Sequence, residues 1–381
     1  MRRAWLWGAL AVVLPCPAPA ETSPVQASAP EAEAGQGAGA ALRPLAFGQV
    51  FLGHGTHHTA SEDFNAFELR RAEAGLGFAH AAGYAAMVNL EAVRSAGPQS
   101  LFGIDQDSLV VRVKHAFGQA EGALGPVAWQ ARAGLVPDVW VEAVETRFDL
   151  RSLTPVLAEA GGFFSASDLG VGGRARALDG ALELRLGLTN GEGRNQRELN
   201  AGKNLTAALA VDPLRLAGLR HSRLHLNLGL RDGSVGPSSQ ADRRVMAAVT
   251  GRHRQWFGGG EWVRATGYGG RGDLEAQGLG GWLNGPVWGD WLGLALAWQR
   301  WTPDLAAGGA SQRLLAGLYL DAWPAPAEDR PVLGFPRLRF SMHYEQWDAE
   351  DAAASVLGRP GADRVQSVWL TMAVQALTGE E

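Results

Sequence analysis

The sequence predicts a transmembrane antiparallel β-barrel of sixteen strands, and three observations carry that expectation. Apolar and polar residues alternate through segments of about ten residues, the span of a tilted strand across a bilayer. Apart from 5–14, no stretch approaches the roughly 18–20 consecutive apolar residues that a membrane helix needs. A leader of the secretory type also opens the chain.

In that leader, Arg2 and Arg3 precede an apolar run at 4–14, followed by Pro15, Cys16 and the small-residue triplet Ala18, Pro19, Ala20. Charge, apolar core and small-residue cleavage site are the parts of a signal peptide, so residues 1–20 are read as one. Pro15 spoils the small-residue position that a lipoprotein site at Cys16 would need. Residues 21–43 are rich in Ala, Pro, Glu, Gly and Ser without an aromatic residue, and read as a flexible periplasmic linker. Residues 44–381 remain for the barrel.

Composition narrows the possibilities further. With 46% hydrophobic residues the chain is too apolar for disorder, yet its 51 glycines are unusual for a soluble α/β enzyme. Its only cysteine lies in the leader, which leaves neither a disulfide framework nor thiolate chemistry after cleavage. The formal charge of −5 offers no general electrostatic case for nucleic acid.

The alternation is clearest at 223–231, where Leu224, Leu226, Leu228 and Leu230 share one parity and Arg223, His225, Asn227 and Arg231 the other. Successive side chains point to opposite faces of a strand, so one face is greasy and the other wet. The pattern recurs at 180–190 and at 337–345. Marked throughout, it gives strands at 47–55, 66–80, 83–94, 106–118, 126–136, 168–178, 180–190, 202–213, 221–231, 242–254, 257–270, 273–285, 288–301, 311–322, 335–347 and 364–377. Glycine blurs the parity between 257 and 301. An even count places both chain ends on one side of the membrane.

Connection lengths agree with this reading. Longer segments at 56–65, 95–105, 137–167, 191–201, 232–241, 302–310 and 348–363 fall on one side and short turns on the other, as in outer-membrane barrels; 323–334 is a longer inner turn than the rule prefers. Of these, 137–167 is the longest, and a loop of that length in a compact domain is usually functional. Many of the fourteen tryptophans sit near strand ends, among them Trp129, Trp256, Trp262, Trp282, Trp288, Trp291, Trp301, Trp323 and Trp347. That placement suits aromatic girdles, with about a third expected to be ordinary packing residues.

Several segments carry a family resemblance. GQVFL at 48–52 and FELRRAEAGL at 67–76 resemble the opening strand pair of phosphate-selective porin-like outer-membrane proteins. RAGLVPDVW at 132–140, SASDLGVGG at 165–173 and LGLTNGEG at 186–193 resemble that family's strand into the third loop, its re-entry strand and the next hairpin. The resemblance covers roughly 48–214. It implies a sixteen-stranded porin, often trimeric, whose third loop folds into the lumen. Two departures stand against it: the chain ends on Ala376, Leu377, Thr378, Gly379, Glu380 and Glu381 without a terminal aromatic residue, and the third loop is acidic. Phosphate selectivity is therefore not carried across.

The candidate constriction loop holds Asp138, Glu142, Glu145, Asp149 and Glu159 against Arg147 and Arg151. Opposite it, parity turns Arg112, Lys114, Arg132, Arg174, Arg176, Arg185, Arg223, Arg231, Arg252, Arg337 and Arg339 inward, with Glu91, Asp168, Glu183 and Glu345. Basic rings favour anions and acidic rings cations. The same arginines suit pairing with the loop carboxylates as bracing, so the sign of selectivity stays open.

Catalytic groups are scarce. His54, His57 and His58 lie in an HGTHH segment that reads as a polar loop, there being no carboxylate or cysteine at a metal-binding spacing. GLGG at 278–281 is followed by no Lys-Ser/Thr pair and no helix, so it is a glycine-rich strand rather than a phosphate cradle. The expectation is an outer-membrane porin for small hydrophilic solutes or ions, without cofactor, metal or turnover. Its partners are outer-membrane lipids and lipopolysaccharide, the barrel-insertion machinery and copies of itself in a homotrimer. The competing reading is a plugged, non-conducting barrel within an export, adhesion or motility complex. A membrane-embedded hydrolase would need a Ser/His/acid cluster at the barrel wall.

Overall fold

The computed structural model describes residues 42–58, 63–94, 109–194, 198–219, 222–272, 274–322, 337–350 and 364–378. The expected signal peptide and most of the expected linker lie outside these residues. So do nearly all of 95–105 and 348–363, and the inner connection 323–334.

Sixteen antiparallel strands close into one barrel. In chain order they are β1 (Leu42–His58), β2 (Asp63–His80), β3 (Tyr84–Arg94), β4 (Leu109–Leu124), β5 (Val127–Pro137), β6 (Ser167–Ala177), β7 (Leu182–Thr189), β8 (Asn204–Val211) and β9 (Ser222–Asp232). A small hairpin follows, β10 (Ser234–Val235) with β11 (Gln240–Ala241), and stands outside the closed sheet. The barrel continues with β12 (Arg243–His253), β13 (Trp256–Thr266), β14 (Glu275–Trp288), β15 (Leu292–Thr302), β16 (Ser311–Asp321), β17 (Arg337–Ala349) and β18 (Arg364–Thr378). Each barrel strand falls on a segment where alternation predicts one. β1 closes the sheet against β18, from Ala46 opposite Thr378 to His58 opposite Gln366, so the ladder has no free edge to leave backbone groups unpaired in hydrocarbon.

Alternation sets the two faces. Along β7, Leu184, Leu186 and Leu188 are exposed on the outside while Glu183 and Arg185 are buried. The same division runs through β9, where Leu226, Leu228 and Leu230 face out and Asn227 and Arg231 face in. Three register shifts break the period, one of them at Pro286/Trp288 near the end of β14. Between β1 and β2 the register slips at Phe51/Leu52, leaving Arg70 without an opposite residue. Between β3 and β4 it slips at Asn89/Leu90, leaving Lys114 unopposed. A bulge sets two consecutive residues against one and re-aims side chains, which is how Arg70 and Arg71 both reach interior partners, Glu345 and Glu73.

The tryptophans depart from the girdle expectation. Trp288 and Trp291 are exposed around the short inner turn between β14 and β15, in keeping with it. Trp282 and Trp301 are instead buried in an apolar cluster, and Trp347 packs against that cluster. The cluster unites the segment 139–164 with the inner faces of β12 to β16, through Met246, Ala248, Val263, Ala265, Ala276, Ala295, Ala297, Leu315 and Tyr319. Those inward positions are apolar because another part of the chain covers them.

Gly134 lies in β5 just before that segment, with φ +128. A Cβ there would meet the Ala116 carbonyl of β4 and come within 3.0 Å of Phe117 Cα. Gly118, on the outer face of β4, has nothing within 4 Å of such a Cβ. Gly134→Ala is expected to destabilise the barrel by about 1–3 kcal/mol and Gly118→Ala by less than about 0.5 kcal/mol. Urea unfolding in lipid vesicles, followed by the heat-modifiable gel band, checks both.

Candidate functional site: the third loop and its wall

Between β5 and β6, residues 138–166 fold into two short helices, α1 (Val139–Glu145) and α2 (Leu157–Ala160). Asp138 is the N-cap of α1, its Oδ1 accepting the amide protons of Trp140 and Val141 at 2.9 and 3.1 Å, which satisfies donors that a helix start leaves open. Its other oxygen takes Arg231 Nη2 at 2.8 Å. The capping residue of α2, Val156, offers no side-chain acceptor.

One face of the segment is apolar. Val139, Trp140, Val141, Val144, Phe148, Leu150, Leu153, Val156, Leu157, Phe163 and Phe164 are buried in the shared cluster. Inward glycines make room for the bulkiest of them: a Cβ on Gly229 would lie 2.7 Å from the Trp140 ring, and one on Gly278 2.8 Å from Phe163. Part of the glycine content is thus tied to this close approach.

The other face is ionic. Glu142 meets Arg132 and Arg185, each at 2.8 Å. Arg147 reaches Glu183 at 3.4 Å, and Glu183 also pairs with Arg176 and Arg185. Arg151 pairs with Glu145 and lies 3.7 Å from Glu73, which Lys114 holds at 2.7 Å. Glu159 lies 3.6 Å from Arg71. Asp149 takes Arg339 at 3.1 Å and Asn284 at 2.9 Å, while Arg339 also grips Asp321 at 2.7 Å. Removing one partner from the buried group of Arg339, Asp149 and Asp321 typically costs about 3–5 kcal/mol, because a charge is left alone.

Not every residue expected at the site touches the loop. Arg112 pairs with Glu91, which also holds Arg194. Arg174 makes no ion pair among the described residues and lines a small cavity with Arg132, Glu142 and Arg185. Arg223 lies at the start of β9, opposite Arg252 of β12 in the register. Arg252 donates to the Arg254 carbonyl and sits over Phe257. Arg337 opens β17, and its side chain is outside the described residues. Parity missed Arg70, Arg71 and Glu73, which the bulge re-aims, and Glu261, whose carboxylate accepts from Trp140 and Ala158. The double arginine in an otherwise alternating segment was the one signal for the bulge.

His57 Nδ1 lies 2.8 Å from Ser367 Oγ, and its other ring nitrogen 3.9 Å from Glu68. Ser367 is only 5% exposed, and Trp369 stands edge-on to the imidazole at 4.9 Å.

No protein-family model and no curated protein sequence matches the chain. Solved structures do. The chain is similar to an anion-selective porin from Comamonas acidovorans, at TM-score 0.55 and 12% identity over 88% of this chain and 100% of that one. It is also similar to a loop-deletion mutant of OmpT, an outer-membrane protein of Vibrio cholerae, at TM-score 0.55 and 10% identity over 88% and 99%. The trimer form of OmpT matches at TM-score 0.53 and 10% identity over 87% and 99%. At these identities the likeness establishes the fold, that of an outer-membrane β-barrel.

Charge on the loop depends on pH in a definite direction. Burial alone would raise Glu159, but Arg71 and Arg151 outweigh it and hold the carboxyl at about 2. Arg185 and Arg132 likewise hold Glu142 below the usual range despite its burial. A carboxyl lowered by folding contributes stability that is present above its unfolded value near about 4.3 and is lost as pH falls through its folded one. Thermal unfolding is expected to be unaffected by these two groups above about pH 5 and to lose their contribution between about pH 4 and pH 2. Glu159→Gln, measured by the same scan, flattens that limb.

Proposed function

We propose that this chain is an outer-membrane porin for passive diffusion of small hydrophilic solutes or ions, narrowed by residues 138–166. One observation carries the reading: a single loop touches residues of β2, β5, β7, β9, β13, β14 and β17 of a closed barrel. Only a segment crossing the lumen can meet strands on all sides. Its apolar face occupies the side of β12 to β16, so passage runs past the ionic face and the walls of β2 to β7. The reading needs no cofactor and no chemical step.

The loop carboxylates Glu142, Glu145 and Glu159 are all matched by arginines, whereas Arg174 is not. The residual field is therefore basic, which favours anions modestly, without a case for phosphate in particular. A plugged barrel within an envelope complex is the second reading, favoured by ion pairs that staple the loop to the wall. Single-channel recording of the refolded barrel under a salt gradient tests both. Discrete steps with an anion-directed reversal potential support the porin, and Arg174→Ala shifts that potential toward cations. Deleting residues 139–165 raises conductance several-fold. Full insertion without steps in the intact chain, but steps in the deletion, establishes the plug.

The trimer form of OmpT suggests an assembly for this chain too, among lipid and lipopolysaccharide, after insertion by the barrel machinery. The outside of β3 to β6 carries neighbouring small residues, with Ala86 opposite Gly118, Gly118 opposite Ala133, and Ala131 opposite Gly173. Small residues let two walls approach closely. Ala131→Trp keeps the surface apolar and is expected to shift chemically crosslinked trimer to monomer on gels.

A further inference from the structure

Charge on the interior wall is not shared evenly between the two mouths of the barrel. Toward the long connections, cations and carboxylates match among the described residues. Glu345 meets Arg70 and Arg313, and Glu91 meets Arg112 and Arg194. Asp138 and Asp242 take Arg231 and Arg244, and Glu68 and Asp168 complete the balance. At the level of the loop, Arg71, Lys114 and Arg151 stand against Glu73, Glu145 and Glu159.

Toward the short turns the balance fails along β5 to β12. Glu183 is shared by Arg147, Arg176 and Arg185, and Glu142 by Arg132 and Arg185. Arg174 lies opposite Arg185 in the register, and Arg223 opposite Arg252. Strand parity turns all four toward the lumen. Glu121, Asp179 and Asp212 near the turns offset only part of this, since Arg215 and Arg254 stand at the same turns. On the far wall, Arg339 with Asp149 and Asp321 leaves one carboxylate in excess, but that group is buried away from any passage. The periplasmic vestibule thus has one basic wall, whereas the outer mouth is balanced.

We propose that the barrel is a rectifying conductor of small anions, passing them more readily from the periplasmic mouth outward than in the opposite direction. Fixed charge of one sign raises the local concentration of the opposite ion. An anion driven outward starts from a vestibule that the arginines have filled; one driven inward starts from a zone without that enrichment. The proposal rests on the porin reading of the lumen.

Single-channel current–voltage curves of the refolded full barrel, with the same potassium chloride solution on both sides, test it. Added to one chamber, the barrel inserts with its short turns leading, because the long polar connections are the costlier to carry through hydrocarbon. The long connections then face the chamber of addition. At ~0.1 M salt and ~100 mV, current is expected to be about twofold larger when that chamber is positive, since anions then move outward from the vestibule. At ~1 M, where screening acts within about 3 Å, the ratio is expected to approach one. Combining Arg174→Gln, Arg223→Gln and Arg252→Gln brings the low-salt ratio toward one, and Arg174→Lys, Arg223→Lys and Arg252→Lys together preserve it. Arg112→Gln, at the outer mouth, raises it. Should the triple glutamine variant not fold, Arg174→Gln alone lowers the ratio part of the way. Equal currents in the wild type at low salt, the opposite polarity, or glutamine variants that rectify as the wild type does overturn the proposal and leave the porin reading standing. Insertion without steps removes both.

Discussion

Everything in this structure follows from the need to pair each backbone N–H and C=O inside the sheet. In hydrocarbon an unpaired group costs several kcal/mol, so the ladder must close on itself, as β1 does against β18. Closure then dictates side chains. Alternation leaves every second residue facing lipid, and those positions are Leu, Val and Ala along most strands. Most charged residues keep to the other face, where they stand close together in a limited space, while Arg243, Arg264 and Glu275 lie exposed near strand ends. Pairing is the answer to that crowding: Glu183 alone gathers Arg147, Arg176 and Arg185.

The third loop solves a second problem that the barrel creates. A lumen lined on β12 to β16 by Val263, Ala265, Ala276, Ala295 and Leu315 would expose apolar surface to water. The apolar face of 139–164 covers it, and burial of that surface drives the loop inward without any contribution from charge. Trp140 then needs an acceptor for its indole N–H in a dry cluster, and Glu261 supplies it. The ion pairs on the opposite face fix where the loop stops.

The two faces explain what was legible in the sequence. Sixteen strands were readable because lipid and lumen impose opposite chemistry at a period of two. The pattern blurs between 257 and 301, where the inward face turns apolar too, because the loop covers it. A sequence carries no local sign of such a distant partner, so Trp282 and Trp301 resembled girdle residues until their burial placed them in the cluster. Bulges hid Arg71 and Glu73 by a different route, since one inserted residue inverts the parity of all that follow. The loop's acidic residues were legible as a group, but not their partners, which come from strands far away in sequence. Asp149 and Arg339 are 190 residues apart.

Compliance differs between the faces. The apolar side is a packed cluster in which Trp140, Phe148, Leu150 and Leu157 are almost wholly buried, and moving it opens voids that water does not stabilise. Ion pairs on the other side are different in kind. Arg132, Glu142, Arg151 and Glu159 keep between 11% and 23% of their side-chain surface exposed, so water and passing ions compete for them, and a displaced partner is resolvated rather than stranded. Exchange of partners among Arg132, Glu142, Arg151 and Glu159 therefore costs less than a shift of the packed cluster. The cluster on β12 to β16 is the tightly packed side of the loop, and there Glu261 accepts from the Trp140 indole and the Ala158 amide.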